Sequence, residues 1–161
     1  MSTSQKATIL PKIVVPHDGS RASDRAMDKA IEFAKALGSD IVLVNVVDDR
    51  FVPPSTTLAF LDYKTSLEEA KMKVIKYLKQ ASEAMLKDKL EKARSERVNV
   101  RHILVVGSPA DEIVKIAENE KAGLMIIGSS QLEEAKVRLR TLGSIARRVS
   151  EASTIPVMIV H

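Results

Sequence analysis

The chain of 161 residues has no cysteine and no tryptophan, only three histidines, and no more than three phenylalanines and two tyrosines. Without cysteine there is no disulfide, no thiol nucleophile and no thiolate metal site, which fits a reducing compartment. The histidines, His17, His102 and His161, form no H-x-x-x-H pair, so a zinc centre is not expected. No apolar run approaches the ~20 residues that span a bilayer. The opening "MSTSQKATIL" lacks the apolar core of a secretory signal. A cytoplasmic protein with no membrane partner is therefore expected. Strong charge of one sign is missing as well. A formal +4 is the size of ordinary surface bias and gives no reason to expect nucleic acid. Also absent are the G-x-x-x-x-G-K-[ST] loop, G-x-G-x-x-G and the G-x-S-x-G elbow.

What is present is the composition of a soluble globule, 45% hydrophobic and 29% charged. The length suits one domain over 1–161, with 1–10 as a flexible arm. Five short Val- and Ile-rich segments are predicted strands: 12–16, 40–47, 98–106, 123–128 and 156–160. Most are apolar on both faces, as in a buried parallel sheet. The third, "VNVRHILVV", alternates in its first half and is expected at an outer position. Helices are predicted between them. Over 20–37, Ala26, Ala30, Phe33 and Leu37 share a stripe, Ser20 is the N-cap and Gly38 the C′ residue. Over 65–97 the stripe is Leu67, Ala70, Val74, Leu78, Ala81 and Met85. Ser108, Pro109 and Asp111 open a third helix with a capping box. A last helix starts near Ser144, with Ile145 and Val149 on one face. The order β-α-β-α-β-α-β-α-β predicts an α/β fold, a three-layer sandwich around a five-stranded parallel sheet.

Ligands in such sheets bind beyond the carboxyl ends of the strands, where strand order reverses. That directs attention to "PHDGS", "VVDD", "VGSP" and "GSSQ", which should converge at one sheet edge. Asp18 reads either as an acceptor for a base amino group or ribose hydroxyl, or as an Asx-turn before the first helix. The backbone near Asn45 and Val46 offers edge groups to a planar ring, or is only core. Gly107 and Ser108 precede one helix N-terminus. Gly143 and Ser144 open another, which reads either as an anion cradle, with the amides of Ser144, Ile145 and Ala146 free to donate, or as an ordinary cap. The stretch between Gly128 and Gly143 carries Lys136, Arg138 and Arg140 against Glu133 and Glu134.

"KIVVPHDGS", "VGSPADEIVKIAENEKAGLMIIGSS", "LGSIARRV" and "STIPVMIV" together resemble the universal stress protein (UspA-like) family across nearly the whole chain. The resemblance implies a five-stranded parallel sandwich of the Rossmann-like, adenine nucleotide alpha hydrolase-like type. It also implies a homodimer and, in one branch, an ATP or AMP site with Mg possible beside ATP. That branch has the pattern G-x2-G-x9-G-[ST]. Gly128 matches its first glycine, and Gly143 with Ser144 its last pair. Asp18 matches the adenosine-side aspartate, and Val46 the position whose backbone meets adenine. Pro16, His17, Ile127, Ser130, Gln131, Ile145 and Ala146 complete the implied pocket. Two departures stand out: Gln131 replaces the middle glycine, and 11 residues rather than nine separate it from Gly143. Lengthening the loop from about 12 to about 14 residues costs only ~0.1 kcal/mol of closure entropy. A non-glycine forced into a left-handed conformation at 131 would cost about 1–2 kcal/mol.

"PVMIV", if outermost, exposes an apolar edge that a twin copy would satisfy; the alternative cover is the arm "TSQKATIL". The segment "DDRFVPPSTTLAFLDYKT", with Phe51, Phe60 and Tyr63, reads as a lid or as a subunit contact. The function expected is an adenine-nucleotide-binding, dimeric stress-response or signalling module, with at most very slow ATP hydrolysis because no general base is placed. The alternative is a dimeric interaction protein of the same fold that has lost the nucleotide.

Overall fold

The computed structural model describes residues 12–48, 50, 67–129 and 142–161. Its strands are β1 (Ile13–Pro16), β2 (Ile41–Asp48), β3 (Val100–Gly107), β4 (Leu124–Gly128) and β5 (Val157–Val160). All pair in parallel, in the order β3-β2-β1-β4-β5. Both outer expectations hold: β3 forms one edge and "PVMIV" the other. The helices are α1 (Arg21–Leu37), α2 (Leu67–Ser95), α3 (Pro109–Asn119) and α4 (Ser144–Ala152).

Because side chains alternate along a strand, each strand feeds two cores. Ile13, Val15 and Leu43 pack with Met27, Ile31 and Leu86 under α1 and α2. Val14, Val42, Val44 and Met125 pack with Ile113, Ile116 and Val149 under α3 and α4. The doubly apolar strands read from sequence are thus sandwiched between two helical layers.

The ends of α1 form as expected. The Ser20 hydroxyl accepts from the Ser23 N–H, and Gly38 sits at φ 67°. Its buried face is Ala26, Ala30 and Ala34 with Met27 and Ile31, whereas Leu37 is exposed. The stripe predicted for α2 is off by one position in its second half: Ala81 and Met85 face solvent, and Ser82, Leu86 and Ala93 are buried. A polar residue occupies the inner face, so hydrophobicity alone misplaced the seam. Ser82 is satisfied there by donating to Asn45 Oδ1 at 2.6 Å. At α3, Pro109 is the first residue as expected, but the Ser108 side chain makes no capping bond. Asp111 pairs with Arg148 of α4 instead, so no capping box forms. In α4, Val149 is fully buried while Ile145 is partly exposed.

Glu120, just past α3, accepts from Lys12 Nζ at 2.8 Å and pairs with Arg101 of β3. Hydrogen bonds from Arg101 and Lys12 hold its carboxyl down at about 2, against an ordinary 4.5. A depressed carboxylate contributes its full stabilisation above pH 4.5 and loses it as pH falls towards about 2. Glu120→Gln is expected to lower stability at neutral pH and to flatten the acid limb across that window. An acid unfolding curve unchanged in slope would show that the clamp contributes nothing.

Candidate functional site

The β1–β2 ladder runs up to Pro16↔Val44, but β1 and β4 pair only at Ile13↔Leu124 and Val14↔Met125. The carboxyl ends of β1 and β4 therefore splay apart, at the point where strand order reverses. A cavity of about 220 Å³ opens there. Pro16, His17 and Asp18 line it from β1, and Val44, Val46 and Asp48 from β2. Ile127 and Gly128 of β4, Pro109 and Ile113 of α3, and Ile145 and Ala146 of α4 complete the described wall, with Ser20 and Ser23 at the mouth of α1.

Eight of the twelve pocket residues named from sequence thus meet in one cavity. Gly143 and Ser144 stand directly before Ile145 as the N-cap and first residue of α4, but neither is part of the lining. Nor are Gly107 and Ser108, whose helix contributes Pro109 and Ile113. Ser130, Gln131, Lys136, Arg138 and Arg140 lie outside the described residues, as do the arm 1–10 and Phe51, Phe60 and Tyr63. Ser20, Asp48 and Pro109 fall within the stretches "PHDGS", "VVDD" and "VGSP" singled out from sequence, though none was named as a pocket residue. Ser23, Val44 and Ile113 were missed, and Val44 and Ile113 look like core.

The Asx-turn reading of Asp18 is the one the structure shows: its Oδ1 accepts the Ser20 N–H at 3.0 Å, and the residue also faces the cavity. Burial opposes ionisation, but hydrogen bonds from the side chain and backbone of Ser20 outweigh it and hold the carboxyl below its ordinary range. Asp48 is gripped by Arg50, with Nη2 to Oδ2 at 2.5 Å and Nε to Oδ1 at 2.9 Å. Those bonds lower its carboxyl as well. Among the described residues of the wall, charge is therefore two carboxylates at the β1–β2 side. The start of α4, with its unpaired N–H groups, supplies positive potential on the other side.

Two anchors fix the walls. At β4, an added Cβ on Gly128 would lie 2.3 Å from the Ala22 carbonyl oxygen and 2.8 Å from the Ser23 nitrogen. Only glycine lets β4 approach the first turn of α1 this closely. Ser129, fully buried, donates its N–H to Val160 O at 2.8 Å, and its hydroxyl lies 2.8 Å from His161 Nδ1. At β1, the Asn45 amide donates to the His17 carbonyl at 2.7 Å and holds the end of the strand against β2.

Known proteins share this architecture. A family model described as "Universal stress protein family" matches residues 10–161. The universal stress protein MJ0577 of Methanocaldococcus jannaschii is 30% identical over 153 residues, covering 92% of this chain and 93% of its own. The solved structure of MJ0577 superposes with a TM-score of 0.77 at 26% identity, over 94% of this chain and 96% of that one. A universal stress protein solved in complex with cAMP superposes at 0.64, with 22% identity over 96% of this chain and 98% of its own. One from Archaeoglobus fulgidus solved with dAMP superposes at 0.63, with 23% identity over 95% and 99%. From the strand order, the splayed cavity and the match over residues 10–161, the chain belongs to the universal stress protein family.

Proposed function

We propose that the protein holds an adenine nucleotide, ATP or AMP, in the β1–β4 crevice, as a dimeric module whose signal is the nucleotide it carries. The observation that carries this is the juxtaposition, in one cavity, of the ionised Asp18 turn and the first turn of α4. The base and ribose would lie against Val46, Ile127 and Asp18, and the phosphates at the N–H groups of Ser144, Ile145 and Ala146. The cAMP and dAMP complexes of the two structural neighbours support an adenosine ligand. Among the described residues no group of three or more His, Cys, Asp or Glu could hold a metal. Mg²⁺ would therefore arrive with the phosphates of ATP, as it commonly does.

The proposal includes pairing of β5 with β5 of a second copy. Its four apolar residues are half-buried at the sheet edge, where unpaired backbone groups favour strand addition. Localisation in the cytoplasm is consistent with this; no described helix is long and apolar enough to cross a membrane. The test is calorimetric titration with ATP, with and without Mg²⁺, and with AMP, beside a mass spectrum of small molecules released on denaturation. One-to-one binding per chain, or a co-purified adenine nucleotide, is expected. No heat and no released nucleotide would leave the interaction protein as the function.

A further inference from the structure

His17 is among the residues around the crevice to which the nucleotide proposal gives no work. Its imidazole is entirely shielded from solvent, with both ring nitrogens engaged. Nδ1 accepts the Gly19 N–H at 3.2 Å, because a backbone amide can only donate. The ring proton therefore sits on Nε2, which donates to Asp24 Oδ1 at 3.1 Å. The same Asp24 oxygen is 2.8 Å from Lys89 Nζ, so α2 reaches the ring through the carboxylate of α1. Meanwhile Asn45, held by Ser82 of α2, fixes the His17 carbonyl. Gly19 adopts φ 87°, and the next N–H, that of Ser20, is the one that binds Asp18. One imidazole nitrogen thus sets the left-handed residue on which the Asp18 turn depends.

We infer that His17 is the positioning residue of the crevice: while Nδ1 is unprotonated it holds the Asp18 turn in shape, and a second ring proton releases that turn and weakens nucleotide binding. The inference concerns regulation of the site proposed above and rests on that proposal for its ligand. Protonation leaves the bond to Asp24 in place but sets an Nδ1–H against the Gly19 N–H, two donors with no acceptor between them. The amide then has to turn away, and the Asp18 carboxylate moves with it. The charged groups facing the ring are Asp24 of α1, Lys89 of α2 and Asp18 of its own turn. Burial disfavours the cation and outweighs Asp24 and Asp18, with Lys89 adding to the burial effect, so the ring titrates below its ordinary 6.5. The turn is therefore closed at neutral pH and opens as pH falls through that lowered value.

Nitrogen-resolved NMR of ligand-free protein between about pH 7.5 and about pH 4.5 reads the ring and the turn without any nucleotide. The expected result is an Nε2-protonated neutral ring at the upper end. Its midpoint should lie below 6.5, with the Gly19 and Ser20 amide signals moving at the same midpoint. Calorimetry with AMP over that range should show affinity falling about tenfold with this midpoint, the worth of roughly one hydrogen bond. His17→Asn keeps an acceptor where Nδ1 stood but cannot titrate. Its affinity should change only as the phosphate of AMP itself titrates, a contribution common to both proteins. Lys89→Gln should move the midpoint upwards in both measurements. Protonation that leaves the Gly19 and Ser20 amides unmoved would overturn the inference. So would a ring that never protonates in this range, or an Asn variant with the wild-type pH profile. If the amides move as expected but AMP binds at no pH, the nucleotide proposal is wrong and the claim on affinity goes with it.

Discussion

Gly128→Ala is expected to destabilise the protein by about 1–3 kcal/mol, the ordinary cost of forcing one extra carbon into a packed contact. The new methyl would meet backbone on the far side, with the Ala22 carbonyl oxygen at 2.3 Å and its carbon at 2.4 Å, not the yielding end of a side chain. Either β4 or the first turn of α1 has to retreat. That turn carries Ser20 and Ser23, the groups that organise Asp18. Urea unfolding should show a lower midpoint with an unchanged slope, and nucleotide affinity should fall together with stability. A variant as stable as wild type would mean that the two backbones are further apart than described. The glycine that opens the G-x2-G-x9-G-[ST]-like pattern is thus a packing requirement before it is anything else.

Gly143→Val should behave in the opposite way. Gly143 sits at φ −59° and ψ 153°, a conformation open to any residue, and its carbonyl already accepts the Arg147 N–H at 2.9 Å. Valine is a poorer cap than glycine, a difference of no more than about 1 kcal/mol. The branched side chain would stand before the open N–H groups of α4. Each charge-assisted hydrogen bond lost there is worth ~1.5–3 kcal/mol, so affinity for ATP or AMP should drop at least tenfold, and roughly a hundredfold or more at the upper figure. Thermal unfolding and oligomeric state should stay near wild type. Wild-type affinity in Gly143→Val would remove α4 from the phosphate end. Loss of binding with loss of fold would show that this glycine, like Gly128, is structural.

The sheet was legible because burial on both faces leaves a plain mark: Val14 and Val15 serve opposite cores, and both must be apolar. The ends of α1 were legible because Ser20 and Gly38 are the residues that such ends demand. Two other helix ends were not. Arg97 and Lys121 take the left-handed position after α2 and α3 at φ 62° and 51°, where glycine would be the recognisable signal. The chain is turned back by backbone bonds, Val98 N–H to Ala93 O and Ala122 N–H to Ala117 O, both 3.0 Å, with the Ser95 hydroxyl also donating to Lys92 O at the end of α2. The seam of α2 was misplaced because Ser82 is buried for a hydrogen bond that sequence does not display.

At the site, Asp18 stood out because a carboxylate at the sheet's centre is unusual. Val44 and Ile113 did not, since an apolar residue facing a crevice looks like one facing the core. His17 was named only as part of the implied pocket, with no role of its own. Its meaning depends on Asp24, seven residues on, and on Lys89 from another helix, a proximity that only the fold creates.

Amide-resolved NMR during titration with AMP tests the central claim most directly, because it locates the ligand as well as detecting it. Saturable shifts should concentrate at Asp18, Val46, Gly128, Ile145 and Ala146, from both sides of the β1–β4 crevice at once. Saturable shifts elsewhere on the surface, with those five amides still, would contradict it.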